Sequence, residues 1–225
     1  MISFRDCIMG VIIKKIASRT MNQILSKSFL DNLIHEIGQT GFVVRDNFMD
    51  METISELTRE AQDIYKNGHM HKAKTGINHV NAHSDDIRGD FTFWLDSNNA
   101  SPAQTRYLSM MEELRISLNE AFFLGLFEFE SHFAYYPAGT FYKKHLDQIQ
   151  GKLERQISCV LYLNEQWHSN EGGELRLYIE DNTYRDITPV QNRIVIFISE
   201  KFLHEVMPGE RERMSLTGWF RRRTV

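Results

Sequence analysis

From Phe127 onward, the chain is a succession of short segments in which apolar and polar residues alternate, a pattern typical of β-strands. Turn-forming pairs such as Gly172-Gly173 and Pro208-Gly209 separate many of these segments. The pattern predicts strands at Phe127–Tyr136, Thr140–Asp147, Arg155–Asn164, Glu174–Ile179, Arg185–Pro189, Arg193–Ser199, His204–Val206 and Met214–Arg221. Strands this short and this numerous favour a jelly roll, the cupin-like double-stranded β-helix in which two sheets pack against each other.

Before Phe127, apolar residues recur at helical spacing instead. The spacing predicts helices at Ser28–Gly38, at about Asp50–Lys66 and from Pro102 to about Leu124, with short strands at Gly41–Arg45 and Phe91–Trp94. Ser28 is the expected N-cap of the first helix, and Gly38 its expected stop. We expect these helices to brace one sheet, which makes the fold mainly β with N-terminal helices, in the α+β class.

The bulk properties of the chain restrict what it can do. Its 225 residues suit one domain, which we expect at residues 28–225, preceded by an N-terminal extension at residues 1–27. A net charge of −4 gives no electrostatic reason to expect a nucleic acid or a membrane as partner. The only two cysteines, Cys7 and Cys159, exclude a disulfide framework and favour a reducing compartment, so we expect a cytoplasmic protein.

The stretch that ends in His145-Leu146-Asp147 contains the candidate metal-binding residues. On a strand, residues two apart point to the same face, so His145 and Asp147 would present an imidazole and a carboxylate together. A second histidine, for which His204 is the candidate, would complete the 2-His-1-carboxylate triad that binds Fe(II). The His-x-Asp pattern alone is weak, since His83-Ser84-Asp85 repeats it in a polar, loop-like segment. A buried His145 bonded to Asp147, with His204 on the surface, fits the residues equally well.

Several further landmarks follow one another in a fixed order. They are Asp86-Ile-Arg-Gly-Asp90 with Trp94, Tyr136-Pro137, Arg155, Tyr162-Leu-Asn164, Gly172-Gly173-x-Leu175, and His204-Glu-Val with Arg213, Thr217 and Trp219. Together with His145 and Asp147, they resemble the Fe(II)/2-oxoglutarate-dependent prolyl hydroxylases of the hypoxia-inducible-factor type and their bacterial relatives. The resemblance runs from about Ser28 to Arg222. The segment Lys72–His83 matches the family poorly, which leaves the substrate more open than the chemistry.

The resemblance implies a catalytic domain at residues 28–225, with roles for individual residues. His145, Asp147 and His204 would bind Fe(II), and Arg213 would anchor the far carboxylate of 2-oxoglutarate through its bidentate fork. The residues expected to contact the co-substrate are Tyr162, Tyr136 and Thr217. The residues expected near the substrate are Arg88, Asp90, Arg155 and Trp219. Each tyrosine or tryptophan could equally be a core ring.

The activity implied is 4-hydroxylation of a prolyl residue in a protein, with O₂ as oxidant, succinate and CO₂ as co-products, and ascorbate as an additional reductant. Bacterial relatives point to a translation protein such as elongation factor Tu as substrate. Two alternatives remain open at the level of sequence. The same chemistry could act on a lysyl residue, a ribosomal protein or a nucleobase, or the jelly roll could be a non-catalytic binding module.

Overall fold

The computed structural model describes residues 24–73, 87–148, 154–180 and 183–223. Within these ranges the helices are α1 (Lys27–Thr40), α2 (Met51–Lys66) and α3 (Pro102–Phe122). The strands are β1 (Phe42–Arg45), β2 (His71–Lys72), β3 (Phe91–Trp94), β4 (Leu126–Tyr136), β5 (Tyr142–His145), β6 (Arg155–Tyr162), β7 (Leu175–Glu180), β8 (Thr183–Ile187), β9 (Ile194–Ile198), β10 (His204–Val206) and β11 (Arg213–Arg222). The second His-x-Asp copy at His83, residue Asp86 and most of the predicted extension lie outside the described residues.

The strands form two antiparallel sheets. The larger sheet has the order β1-β9-β6-β11-β4-β3-β2, and the smaller one has the order β5-β10-β7-β8. Strands close in sequence therefore alternate between the two sheets, as they do in a double-stranded β-helix. The fold class predicted from the strand pattern is confirmed.

The alternation of side chains along β6 shows how the larger sheet is covered on both faces. Ile157 and Leu161 belong to the apolar cluster that also contains the buried residues of the three helices. Val160 and Tyr162 belong to a second cluster, between the two sheets. Because successive residues of a strand face opposite sides, one strand contributes to both layers. Each fully buried side chain of this kind stabilises the fold by about 1.5–3 kcal/mol.

The boundaries of α1 differ from those predicted. Ser26, not Ser28, is the N-cap, and its side chain accepts a hydrogen bond from the amide of Phe29. With Ser26 in this role, the preceding Leu25 and the later Leu30 enter the same buried cluster, the arrangement of a hydrophobic staple. The predicted stop at Gly38 was also wrong, because the helix continues through it to Thr40.

Gly41 ends this helix in the left-handed conformation, with φ 88°, which glycine adopts without steric cost. The predictions for α2 and α3 were closer, since α2 begins after the N-cap Asp50 and α3 at Pro102. Among the described residues, no helix combines the length and the apolar character that crossing a membrane requires.

Candidate active site

Two strands of the smaller sheet bring the candidate metal ligands together. His145 ends β5, His204 begins β10, and the two are direct partners in the antiparallel pair. The Nε2 atom of His145 lies 3.5 Å from Oδ1 of Asp147, and Nε2 of His204 lies 3.5 Å from its Oδ2. One ligand atom from each residue falls within 4.8 Å of the others, so the three side chains could hold one metal ion.

Asp147 reaches this cluster by a different route from the one predicted. The strand expected to extend to Asp147 ends at His145, and Asp147 lies in the bend that follows. The buried Ser158 hydroxyl, on β6 of the opposite sheet, donates a 2.6 Å hydrogen bond to Oδ2 of Asp147. The carboxylate is therefore oriented by a contact from the other sheet rather than by alternation along one strand.

Backbone carbonyls fix the orientation of both imidazoles. Nδ1 of His145 lies 2.7 Å from the carbonyl oxygen of Lys143, and Nδ1 of His204 lies 3.1 Å from that of Phe202. A carbonyl can only accept, so each Nδ1 carries a hydrogen, and in the neutral form of each ring the lone pair is on Nε2. Both lone pairs are on the ring edge nearest Asp147, which is the arrangement that metal-binding histidines require.

Burial and charge set the protonation of the cluster. Burial lowers the pKa of His145, and the neighbouring His204 lowers it further. Burial alone would raise the pKa of Asp147, but the two histidines outweigh it and hold that pKa well below its ordinary value. For His204, burial lowers the pKa, but the Asp147 carboxylate raises it by more, so the net change is an increase. An ionised carboxylate beside imidazole nitrogens is a donor set suited to Fe(II).

A buried cation lies in the same cavity as the cluster. Arg213 begins β11 and is 3% exposed. Its Nε donates a 2.9 Å hydrogen bond to the carbonyl of Gly173, and its guanidinium carbon lies 5.1 Å and 5.0 Å from the ring centroids of Tyr136 and Tyr162. No carboxylate of the described residues forms an ion pair with it. A buried guanidinium of this kind can accept a carboxylate from a ligand.

The hydroxyl of Tyr162 strengthens this interpretation. The atom is buried and has no hydrogen-bond partner among the described residues. Burial raises the pKa of Tyr162, and the positive charge of Arg213 opposes that increase. Buried hydroxyl groups are almost always paired, so this one lacks its usual partner, although Tyr162 itself is not among the residues that line the cavity. The residues present therefore fit a small dicarboxylic acid beside a metal.

The cavity that contains these groups has a volume of about 1010 Å³. Its lining includes the three candidate ligands and several other predicted site residues, namely Arg213, Tyr136, Thr217, Arg88, Arg155 and Trp219. Apolar side chains of both sheets, among them Val160, Leu175 and Val206, form part of the wall, and further polar side chains such as Lys72 and Lys144 form other parts of it. A largely apolar cavity with a few convergent polar groups is the usual form of a small-molecule site.

Three of the four residues predicted near the substrate take part in two ion pairs beside the cavity, and the fourth, Trp219, packs against one of them. Arg88 forms a bidentate pair with Asp90, with distances of 2.7 Å and 2.6 Å. Asp90 is fully buried and does not contribute to the lining, so it holds Arg88 in place rather than facing the cavity. Arg155 pairs with Glu130 and lies over the ring of Trp219, with its guanidinium carbon 3.5 Å from the centroid.

The structure adds residues to which the sequence analysis gave no role. The ring of Tyr142 stacks on His145 at a centroid distance of 3.6 Å, and Arg88 lies over the same tyrosine at 4.3 Å. Ser158 contacts Asp147, and His132 lines the cavity beside Trp219. The signal for Ser158 was present, because it is the one small polar residue that shares a strand face with Val160 and Tyr162. Nothing in the sequence marked His132.

Comparison with known proteins places this fold and site in a family. The model of the 2OG-Fe(II) oxygenase superfamily matches residues 131–221. The solved structure of a prolyl-4-hydroxylase from Pseudomonas putida is 38% identical, with a TM-score of 0.79, and the match covers 87% of this chain and 100% of that one. The chain therefore belongs to the 2OG-Fe(II) oxygenase superfamily, and the expectation of iron and 2-oxoglutarate as cofactors is confirmed.

Two further proteins similar to this chain are also named as prolyl hydroxylases. A prolyl hydroxylase from Trichoplax adhaerens, solved with a hypoxia-inducible-factor oxygen degradation domain peptide, is 26% identical, with a TM-score of 0.76, and the match covers 85% of this chain and 88% of that one. The hypoxia-inducible factor prolyl hydroxylase of Caenorhabditis elegans is 29% identical over 201 residues, or 84% of this chain. The present chain spans only 28% of the length of that nematode protein.

Proposed function

We propose that this protein is an Fe(II)- and 2-oxoglutarate-dependent dioxygenase that hydroxylates a prolyl residue, at C4, in a protein substrate. The observation that carries the proposal is the pairing, in one cavity, of the His145–Asp147–His204 cluster with a buried Arg213 that has no carboxylate partner among the described residues. The 38% identity to the Pseudomonas putida prolyl-4-hydroxylase supports proline as the target.

Each group has a role in this proposal. His145, Asp147 and His204 would hold the iron, which would supply O₂ activation coupled to the oxidative decarboxylation of 2-oxoglutarate to succinate and CO₂. Arg213 binds the far carboxylate of 2-oxoglutarate, Tyr136 and Thr217 line its binding pocket, and the fully buried Tyr162 packs against Arg213. Val160, Leu175 and Val206 supply apolar parts of the same wall.

The substrate enters from the side of the cavity where Arg88, Arg155 and Trp219 lie. Arg88 is held by Asp90 and Arg155 by Glu130, so both guanidinium groups are fixed before the peptide binds. This preorganisation reduces the cost of placing one C–H bond next to the metal. Ascorbate serves as a reductant, and elongation factor Tu is the first protein to test as substrate.

Mass spectrometry tests the proposal. Two substrates are tested in separate reactions: a cell lysate and purified elongation factor Tu. Each is incubated with the protein, Fe(II), ascorbate and 2-oxoglutarate. Control reactions omit 2-oxoglutarate or use the Asp147→Ala variant in place of the wild type. The expected result is one added oxygen on a proline, seen only in the complete reaction and accompanied by succinate. Oxygen on lysine or on a nucleobase would change the substrate class. Absence of any 2-oxoglutarate turnover would support a non-catalytic module.

A further inference from the structure

A chain of two serine hydroxyls ends at the metal-binding cluster. Ser158 and Ser199 are 1% and 0% exposed, and their Oγ atoms lie 2.8 Å apart. Ser158 also donates the 2.6 Å hydrogen bond to Oδ2 of Asp147. Ser158 lies on β6 and Ser199 just after β9, so both come from the sheet opposite the one that carries the histidines.

The direction of this chain follows from counting hydrogens. A serine hydroxyl has one hydrogen, and an ionised carboxylate can only accept. Ser158 gives its hydrogen to Asp147, so Ser199 must be the donor in the contact between the two serines. A donor that itself accepts a hydrogen bond is polarised and binds its own acceptor more strongly.

The two oxygens of Asp147 are then no longer equivalent. Oδ2 accepts from Ser158 and also lies 3.5 Å from Nε2 of His204. Oδ1 lies 3.5 Å from Nε2 of His145 and accepts from no serine among the described residues. If the carboxylate could rotate freely, either oxygen or both could bind a metal. We propose that Ser158, supported by Ser199, is a positioning residue that fixes Asp147 so that Oδ1 is the metal ligand. This inference rests on the proposed function, because it assigns a role toward the same metal.

Metal binding tests this role without relying on turnover. Threonine and valine at position 158 have nearly the same shape but differ in the hydroxyl, so Ser158→Thr and Ser158→Val form a matched pair. Outer-shell partners of metal ligands typically account for 10- to 100-fold in affinity. We expect Co(II) to bind Ser158→Val about 10- to 100-fold more weakly than Ser158→Thr, which should bind close to the wild type. Equal affinities for the two variants would overturn the inference.

The absorption spectrum of bound Co(II) gives a second readout. The valine variant should show a changed spectrum because its carboxylate can reorient, and the threonine variant should keep the wild-type one. Ser199→Ala should weaken Co(II) binding less than Ser158→Val, since the direct donor remains. Should the larger side chains prevent folding, Ser158→Ala compared with the wild type replaces the pair, with the same expected loss of affinity.

A control variant separates positioning from general damage to the core. Ser131 is a buried serine on β4 that does not line the cavity. Its hydroxyl donates to the backbone carbonyl of Thr217 and lies 3.4 Å from the hydroxyl of Tyr107, on the face of the sheet that the helices cover. Ser131→Ala should lower stability and leave Co(II) affinity unchanged; an equal loss of affinity would overturn the inference. If the wild type itself bound no Co(II), the proposed function would fail. If binding depended on Asp147 but not on the hydroxyl at position 158, only the positioning role would fail.

Discussion

His145 and His204 are direct partners across the antiparallel β5–β10 pair, and their ring centroids lie 4.2 Å apart. Opposite residues of paired strands hold their Cβ atoms about 4.5–5.5 Å apart, so the register of two short strands is enough to bring the imidazoles together. The third group, Asp147, comes from the bend after β5 and is held from the other sheet. The site therefore depends on both sheets being assembled.

Loss of one metal ligand should abolish turnover without unfolding the protein. His145→Ala removes an imidazole from a cluster to which the described residues contribute three candidate ligands, so we expect 2-oxoglutarate-dependent succinate formation to fall to background. The far-ultraviolet circular dichroism should stay that of the wild type. His35→Ala is the matched control, because His35 is on α1 and exposed. Turnover that survived the His145 substitution would rule out the cluster as the metal site.

Replacement of the buried guanidinium should affect 2-oxoglutarate specifically. A hydrogen bond to a charged group contributes about 1.5–3 kcal/mol, so Arg213→Lys, which loses the bidentate fork, should raise the KM for 2-oxoglutarate about 10- to 150-fold. Arg211 lies two residues earlier in the chain, and its side chain is more exposed. Arg211→Lys should therefore leave that KM unchanged. The check is succinate formation over a range of 2-oxoglutarate concentrations. Equal values for the two variants would reassign Arg213 to a structural role.

The Arg88–Asp90 pair should contribute far more to stability than a surface pair of the same geometry. Asp90 is fully buried, so Asp90→Ala leaves a poorly solvated guanidinium and should lower the free energy of unfolding by about 3–5 kcal/mol. Arg176 forms a similar bidentate pair with the more exposed Asp186. Asp186→Ala should cost about 0–1 kcal/mol. Urea unfolding of both variants measures the difference, and similar costs would show that burial is not the cause.

The alternation of apolar residues was sufficient for the fold class, and the reason is physical. Alternation of apolar residues reports strand faces directly, as in β6, where Val160 and Tyr162 face one side and Leu161 the other. The cap of α1 was missed because Ser26 and Ser28 are equally good caps, and only the burial of Leu25 decides between them.

Contacts between segments that are distant in the chain could not be predicted from the sequence either. The hydrogen bond from Ser158 to Asp147 joins two sheets, and its existence depends on the three-dimensional approach of a bend to a strand. The same is true of Asp90, whose motif was recognised but whose complete burial under Arg88 was not. Local patterns report which face a residue occupies, but they contain no information on what packs against that face.

Acid should destabilise this protein partly through one histidine. Burial lowers the pKa of His132 to about 4, and a hydrogen bond to the carbonyl of Phe133 opposes the decrease only in part. The unfolded chain, with an ordinary histidine pKa near 6.5, therefore binds a proton at mildly acidic pH that the folded protein does not. Stability consequently decreases as pH falls from about 6.5 toward 4.

From these two pKa values, His132 should account for about 2 kcal/mol of the stability lost between pH 7 and pH 5. Replacement by phenylalanine, which keeps an aromatic ring beside Trp94 and Trp219, should reduce the loss by about that amount. His35→Phe, which replaces an exposed histidine on α1, is the matched control. Urea unfolding at the two pH values measures each loss. If the His132 variant lost as much stability between pH 7 and pH 5 as the wild type, His132 would not cause the loss. The folded protein would then bind a proton at His132 as readily as the unfolded chain does.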